Sequence, residues 1–253
     1  MTMADAVQTE RRGDLLEVVL ARPDRRNAFD GAMIDGLAAA FADVGDARAV
    51  ILRGQGPSFS AGADLDWMRA SVDLDADANL AEGRRLGALF AAVDGCPIPV
   101  VAAVHGHAIG GGAGLVACAD IAIAAPDTRF AFSEVRIGLV PATISPYVLA
   151  RIGETAARRY LLTAELFRAE EALRIGLVAG VADDPEAEAR RLAEAIAVNG
   201  PDAVRATKRL IRERPAPDDL ARLIAEVRSS DEGQAGLRAF LADEDPPWRS
   251  APS

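Results

Sequence analysis

Three consecutive glycines, Gly110 to Gly112, follow an apolar run at 99–104 that is typical of a buried strand. Glycine lets the backbone approach a ligand that a Cβ atom would keep away. The first N–H groups of the short apolar helix that opens here have no partner within it. Together with the helix dipole they can hold an anion, or an oxygen that gains negative charge during a reaction. A tight turn that needs only small residues explains the glycines equally well.

Glu134 stands between Phe132 and an almost wholly apolar run at 135–141, and is the second candidate for chemistry. Apolar surroundings disfavour the charged form of a carboxyl group and raise its pKa towards neutrality. Acid–base catalysis needs such a group. The alternative is an exposed glutamate at the start of a helix, where the dipole favours a negative charge.

Other chemistries have weaker support. The segment from Gly112 to Ala117 matches the G-x-G-x-x-A pattern of dinucleotide sites, but it lies mid-chain and no acid ends the next strand. The histidines, His105 and His107, have no adjacent acid or cysteine to complete a metal site. Ser133 has no nearby histidine, and no nucleophile-elbow motif occurs. We therefore predict no metal and no prosthetic group.

The charge balance limits the partners. The 253 residues carry 38 acidic and 28 basic side chains, a net charge of −10, so nucleic acid and anionic membranes are disfavoured. One basic cluster, Arg22, Arg25 and Arg26, fits either a local anion site or a solvated turn. Two cysteines without metal or redox spacing, and the lack of a leader-like or membrane-spanning run, predict a protein of the reducing cytoplasm.

Strands and helices alternate through the first three quarters of the chain, which indicates a layered α/β core with crossover connections. Apolar runs predict strands at 15–20, 49–52, 100–104 and 121–125, and an extended segment at 130–132. Helical spacing predicts helices at 32–44, 74–93, 142–152 and 154–163. Four amphipathic helices then follow without strands, at 187–198, 201–212, 218–229 and 231–242. We predict a core at 1–190 and a helical C-terminal lobe at 191–253.

Four motifs in a fixed order resemble the enoyl-CoA hydratase/isomerase (crotonase) superfamily over about residues 10 to 242. They are Arg22-Pro-Asp-Arg-Arg-Asn-Ala28, Phe59-Ser-Ala-Gly-Ala-Asp-Leu65, Val104-His-Gly-His-Ala-Ile-Gly-Gly-Gly-Ala-Gly-Leu115 and Phe132-Ser-Glu-Val-Arg-Ile-Gly-Leu-Val-Pro141. The resemblance implies an α/β spiral of ββα units, with a C-terminal helical lobe that forms homotrimers or homohexamers. It also implies an enoyl-CoA hydratase whose substrate is a coenzyme A thioester. An enoyl-CoA isomerase, or an acyl-CoA-binding homologue with little turnover, stays open as an alternative.

The resemblance also implies roles for individual residues. Two backbone N–H groups, assigned to Ala61 and Gly111, would stabilise the enolate-like thioester oxygen, and Glu134 would move the proton. Coenzyme A would contact a set drawn from two motifs and the last helix: Arg25, Arg26, Ala28, Ala63, Asp64, Leu65 and Phe240. The acyl group would lie against Trp67, Met68, Ile109, Gly110, Arg136, Ile137 and Pro141.

Two positions depart from the family pattern. Gly114 replaces the first of the two glutamates of two-carboxylate hydratases, and Asp243 replaces a lysine that often follows the aromatic at Phe240. Gly114 and the segment 133–148 look like the branch that hydrates glutaconyl-type thioesters such as 3-methylglutaconyl-CoA. A second substrate carboxylate would then need a cation, and Arg136 and Arg69 are the candidates. A surface position is the alternative for Arg136.

Overall fold

The structure is a computed structural model that describes residues 6–249. Its strands are, in chain order, β1 (Val7–Arg12), β2 (Leu15–Leu20), β3 (Ala49–Gly54), β4 (Val100–Val104), β5 (His107–Ile109), β6 (Ile121–Ala124), β7 (Arg129–Ala131), β8 (Phe167–Arg168) and β9 (Gly180–Val181). The main sheet has the order β1-β2-β3-β4-β6-β9, with β1 antiparallel to β2 and the other pairs parallel. In a smaller sheet, β7 pairs in parallel with β5 and antiparallel with β8.

Helices lie between most of the strands, and the last four helices follow β9 without further strands. They are α1 (Gly31–Ala42), α2 (Leu65–Ser71), α3 (Ala76–Asp94), α4 (Gly111–Cys118), α5 (Ser145–Thr163), α6 (Ala169–Arg174), α7 (Pro185–Ala197), α8 (Pro201–Glu213), α9 (Pro217–Ser229) and α10 (Asp231–Ala242). The predicted mixed α/β fold with C-terminal helices is confirmed. The break predicted between the helices at 142–152 and 154–163 is confirmed, because Gly153, with a φ of 71° and a ψ of 167°, is non-helical and divides α5 into two helical segments. None of the helices within residues 6–249 is long and apolar enough to span a membrane.

The inner strands of the main sheet, β2, β3, β4 and β6, are buried on both faces, which explains their continuous apolar sequences. On β3, Val50 and Leu52 point into the larger core, together with α1, α3, α4 and α5. Ala49 and Ile51 alternate with them and pack under α7. The side chains of β4 alternate between the two cores in the same way. From the carboxyl end of β4 the chain continues through β5 into the glycine turn.

The helix α7 belongs to the core rather than to the lobe that follows it. Its buried alanines, Ala189, Ala193 and Ala197, pack against the sheet. The predicted boundary at residue 190 therefore falls inside a helix, and the break between core and lobe lies after Ala197. On α8, the Lys208 Nζ donates hydrogen bonds to the Ile98 carbonyl (3.0 Å) and to Asp120 Oδ2 (2.7 Å), which ties the lobe to the core.

Candidate active site

Two loops meet at the start of α4. The Ile109 N–H donates to the Ser60 carbonyl (3.0 Å), and the Ser60 N–H donates to the His107 carbonyl (2.9 Å). Gly62 has a φ of 88°, and a Cβ there would lie 2.9 Å from the Ile109 oxygen. A Cβ on Gly112 would lie 2.8 Å from the Ser60 oxygen. Both positions therefore require glycine, because a side chain would separate the loops.

Two backbone N–H groups are left open where these loops meet. Gly111 is the first residue of α4, so its N–H has no partner within the helix. Ala63 lies between two residues that are bonded to Phe29. The Phe29 N–H donates to the Gly62 carbonyl (2.7 Å), and the Asp64 N–H donates to the Phe29 carbonyl (2.8 Å). Alternate groups of an extended chain point in opposite directions, so the Ala63 N–H faces away from Phe29. Neither N–H donates a hydrogen bond within residues 6–249.

The prediction that Ala61 supplies one of these donors is wrong. Its N–H already donates to the Arg26 carbonyl at 2.9 Å. The open N–H lies two residues further along, at Ala63, the last residue before Asp64 caps α2. The sequence contains a signal for the position of Ala63, because aspartate is a typical N-cap residue and the extended chain before a helix ends at its N-cap.

Glu134 lies beside the glycine turn, at the start of a short 3-10 helix (Glu134–Ile137) that follows β7. Its Oε1 is 3.1 Å from the place that a Cβ on Gly110 would occupy. Its Oε2 is buried and has no hydrogen-bond partner within the part of the chain that the structure describes. Burial therefore raises the pKa of this carboxyl group above the ordinary value for a glutamate. Such a group can take a proton from a substrate and return it.

Gly114, one turn further along α4, has no room for any side chain. A Cβ there would lie 2.3 Å from Ile144 Cγ2 and 3.1 Å from Phe90 Cε1. The place at which two-carboxylate members of the resembled family have a second glutamate is thus filled by Ile144 and Phe90. Glu134 is the carboxylate that remains beside the turn.

Comparison with known proteins adds a separate line of evidence. A family model described as enoyl-CoA hydratase/isomerase matches residues 10–251. A Thermus thermophilus relative whose name places it among the enoyl-CoA hydratases is 38% identical over 251 residues, 95% of this chain and 99% of its own. The crystal structure of an enoyl-CoA hydratase from Shewanella pealeana superposes with a TM-score of 0.92 at 38% identity and covers 96% of both chains. Pseudomonas aeruginosa AtuE gives a TM-score of 0.91 at 37% identity, over 97% of this chain and all of its own.

The chain belongs to the enoyl-CoA hydratase/isomerase family. This membership confirms the family and the fold that the sequence motifs predicted.

The residues predicted for coenzyme A in this family member occupy different environments. Asp64 is buried and fully engaged: its Oδ1 caps α2, and its Oδ2 pairs with Arg22 at 3.0 Å. Although burial opposes ionisation, hydrogen bonds from the backbone of α2 and from Arg22 lower the pKa of Asp64. Asp64 therefore shapes the loop, and Arg22, a member of the predicted basic cluster, is its structural partner. Ala28 is buried and its carbonyl accepts a hydrogen bond from Arg22 (2.6 Å).

Four other predicted coenzyme A residues are open to solvent. Arg25 pairs with Asp66 at 3.2 Å on the surface, and Arg26 is exposed next to it. Leu65 is exposed on the first turn of α2. Phe240 is 81% exposed on α10. Arg25 and Arg26 lie on the turn between β2 and α1, where the Arg26 carbonyl accepts the hydrogen bond from Ala61, and Leu65 directly follows the segment that carries Ala61 and Ala63.

The residues predicted for the acyl group form two sets. Ile109 and Gly110 make up the turn next to Glu134, while Ile137 and Pro141 follow it in the chain, Ile137 with its side chain exposed. Trp67 and Met68 are half-buried on α2, and Trp67 packs against the main core.

The arginines predicted to bind a second substrate carboxylate have protein partners. Arg136 donates to the Ala164 carbonyl at the end of α5 (2.5 Å), and Arg69 pairs with Asp66 (2.5 Å). His107 shares a 3.3 Å hydrogen bond with Ser58, and His105 bonds the Gly56 carbonyl (2.9 Å). No group of three metal-binding side chains occurs within residues 6–249.

Proposed function

We propose that this protein hydrates an α,β-unsaturated acyl-CoA thioester with Glu134 as its one acid–base carboxylate. The observation that carries the proposal is a half-buried carboxylate whose buried Oε2 has no partner within residues 6–249, beside two open backbone N–H groups. The relatives named as hydratases support the same reaction.

The reaction moves charge onto the thioester oxygen, and the open N–H pair would receive it. Ionised Glu134 would take a proton from water, whose oxygen then bonds to the β carbon. The electron pair of the double bond shifts towards the thioester oxygen, where the Ala63 and Gly111 N–H groups and the α4 dipole stabilise it. Glu134 would then give its proton to the α carbon on the same face, which regenerates the carboxylate.

Coenzyme A would reach the site as part of the substrate, so we propose no prosthetic group. Its phosphates carry negative charge, and Arg25 and Arg26 place positive charge at the surface near Ala63 in an acidic protein. The adenine would lie against the backbone around Ala63 and Leu65. Because the side chain of Asp64 is engaged, it acts here through the loop it shapes.

Isomerisation of a 3-enoyl-CoA is the second candidate, and the filled position beside Gly114 favours it. Moving a double bond needs one group that takes a proton from one carbon and returns it to another, whereas hydration must also position a water molecule. A single carboxylate suffices for the first task.

We also propose a homotrimeric or homohexameric assembly and a cytoplasmic location. The lobe exposes three apolar side chains on α10, Leu237, Phe240 and Leu241, as an unsatisfied subunit interface would. Both cysteines are free and buried, which suits a reducing compartment. A glutaconyl-type substrate would require Arg136 to leave the Ala164 carbonyl or Arg69 to leave Asp66.

One experiment separates these possibilities. The protein is given crotonyl-CoA, 3-methylglutaconyl-CoA and trans-3-hexenoyl-CoA, and the absorbance of the conjugated thioester is followed. Glu134→Gln is run beside it, with Glu154→Gln on the exposed face of α5 as the matched control. We expect absorbance to fall with crotonyl-CoA, and this loss to disappear in Glu134→Gln alone.

Each other outcome has a defined meaning. A gain of absorbance from the 3-enoyl thioester alone would replace hydratase with isomerase. Loss with 3-methylglutaconyl-CoA alone would support the glutaconyl branch. Tight binding of all three thioesters without turnover would reject the enzymatic proposal and leave an acyl-CoA-binding protein.

A further inference from the structure

Apolar side chains pack closely against the first turn of α4. A Cβ on Gly111 would lie 3.6 Å from Phe90 Cζ, and one on Gly114 would lie 2.3 Å from Ile144 Cγ2. Ile144 is 2% exposed and Phe90 is fully buried. The two side chains therefore fill the space beside Gly114. Because protein interiors are closely packed, this space has no room for part of an acyl chain.

An open surface cavity of about 850 Å³ lies near these side chains. It is bordered by Ala117 and Cys118, at the far end of α4, by Tyr147 on α5, and by charged side chains of α3, α5 and α8. The Tyr147 ring packs against the Phe90 ring, with 6.4 Å between their centroids. Phe90 thus contacts both the glycine turn and a residue that lines the cavity, and stands between them.

The direction of a bound acyl chain follows from the proposed function, on which this inference rests. With the thioester oxygen at the Ala63 and Gly111 N–H groups, the α carbon faces Glu134 beside Gly110. Gly114 lies on the same face of α4 as Gly110 and Gly111, one turn on. Carbons beyond the reacting bond are therefore directed at Ile144.

We propose that Ile144, supported by Phe90, sets the length limit of the acyl chain and makes this a short-chain enzyme. Each further methylene has to displace a side chain that is already packed in the core, and a poor fit in an apolar pocket commonly costs about tenfold or more in specificity. Ile144→Ala removes the atoms nearest to Gly114 and makes room there for further methylenes.

The test uses Ile144→Ala, with Ile152→Ala as the matched control. Ile152 has the same side chain, is also buried, and lies on α5 two turns beyond Ile144, the residue at which this helix begins. kcat/KM is measured with crotonyl-CoA, trans-2-octenoyl-CoA and trans-2-dodecenoyl-CoA. Binding of the saturated butyryl, octanoyl and dodecanoyl thioesters is measured by calorimetry. Ile144→Val is included in case the alanine variant does not fold.

We expect the wild type and Ile152→Ala to prefer crotonyl-CoA strongly. In Ile144→Ala, the octenoyl to crotonyl ratio of kcat/KM should rise about tenfold, with a smaller rise for Ile144→Val. An unchanged ratio, or a wild type that already prefers the long thioesters, would overturn the proposal. If no thioester is turned over, the proposed reaction fails, and the calorimetric series alone decides: tighter octanoyl-CoA binding in the Ile144 variants supports the length limit, and equal binding rejects it.

Discussion

Glu17 and Glu134 are carboxylates in two regions that differ in what surrounds them. Glu17 is fully buried on β2, on the face that α7 covers, and its oxygens pair with Arg12 (3.2 Å), Arg53 (3.1 Å) and Arg190. Glu134 stands beside the glycine turn, and its buried Oε2 has no partner within residues 6–249.

The comparison shows that partners, rather than burial, decide what a buried carboxylate can do. Burial acts to raise the pKa of both groups, and at Glu17 the arginines outweigh it, so that its pKa is lowered. Glu17 is held ionised and stabilises the packing of α7 on the sheet. Glu134 keeps its affinity for a proton, and this is why we assign catalysis to it.

Glu134→Gln should produce the largest effect. The amide keeps the shape of the side chain but cannot accept the proton, so turnover of enoyl-CoA should fall by about 10²–10⁴-fold. Steady-state rates measured on the folded protein check this. Butyryl-CoA should still bind with a similar dissociation constant. A variant within threefold of the wild-type rate would remove the distinction between the two carboxylates.

Glu17→Gln should lower the stability of the protein and leave its catalytic rate unchanged. Three guanidinium groups would face a neutral amide, and because they are partly exposed we expect a loss of about 2–3 kcal/mol in the free energy of unfolding. Urea denaturation measures it, and the kcat of the folded variant should match the wild type. An unchanged unfolding free energy would show that the arginines do not stabilise the sheet through Glu17.

The two groups should respond to pH with opposite sign. The lowered pKa of Glu17 means that its contribution to stability is present above the ordinary glutamate value, about 4.3, and is lost as pH falls through the folded-state pKa. The raised pKa of Glu134 means that ionising it costs stability as pH rises from that ordinary value through the folded-state pKa. Relative to the wild type, Glu134→Gln should therefore gain stability as pH rises from about 4.3 through the folded-state pKa of Glu134. The stability deficit of Glu17→Gln should be constant above about pH 4.3 and shrink as pH falls below that value. Urea titrations from acid to neutral pH test both, and stability differences from the wild type that change in the same way for the two variants would contradict the account.

Arg190→Ala should give the smallest effect. It removes one of the three partners of Glu17 and leaves Arg12 and Arg53 in place, so the unfolding free energy should fall by about 1 kcal/mol. Denaturation under the same conditions measures it. A loss as large as that in Glu17→Gln would mean that Arg190 alone carries the interaction.

Features encoded by local patterns were predictable from the sequence. The buried strands and the amphipathic helices follow from runs and spacing that neighbouring residues determine, so β2, β4 and α8 lie where they were predicted. The edge strand β1 was not predicted. Its sequence, Val7-Gln-Thr-Glu-Arg-Arg12, is polar because most of its side chains face solvent, and pairing with β2 gives it its structure.

The candidate site was predictable in its motifs but not in its contacts. Ala61 was assigned a role that its hydrogen bond to Arg26, 35 positions earlier in the chain, prevents. Gly114 was recognised as a missing carboxylate, but Ile144, which fills that space, lies 30 positions further on. The environment of Glu134 was predicted from its apolar neighbours, yet Ile137 is exposed and the glycine turn contacts the carboxylate. Contacts between distant segments depend on the tertiary fold, which the local sequence pattern does not specify.

The central claim is that Glu134 and the open N–H pair together form and quench an enolate of an acyl-CoA. Exchange of the α protons of butyryl-CoA in D₂O, followed by NMR, tests it most directly because it needs neither water addition nor a double bond. We predict that the wild type catalyses the exchange and that Glu134→Gln loses it while still binding butyryl-CoA. Binding of butyryl-CoA to the wild type without exchange, or equal exchange by the variant, would contradict the claim.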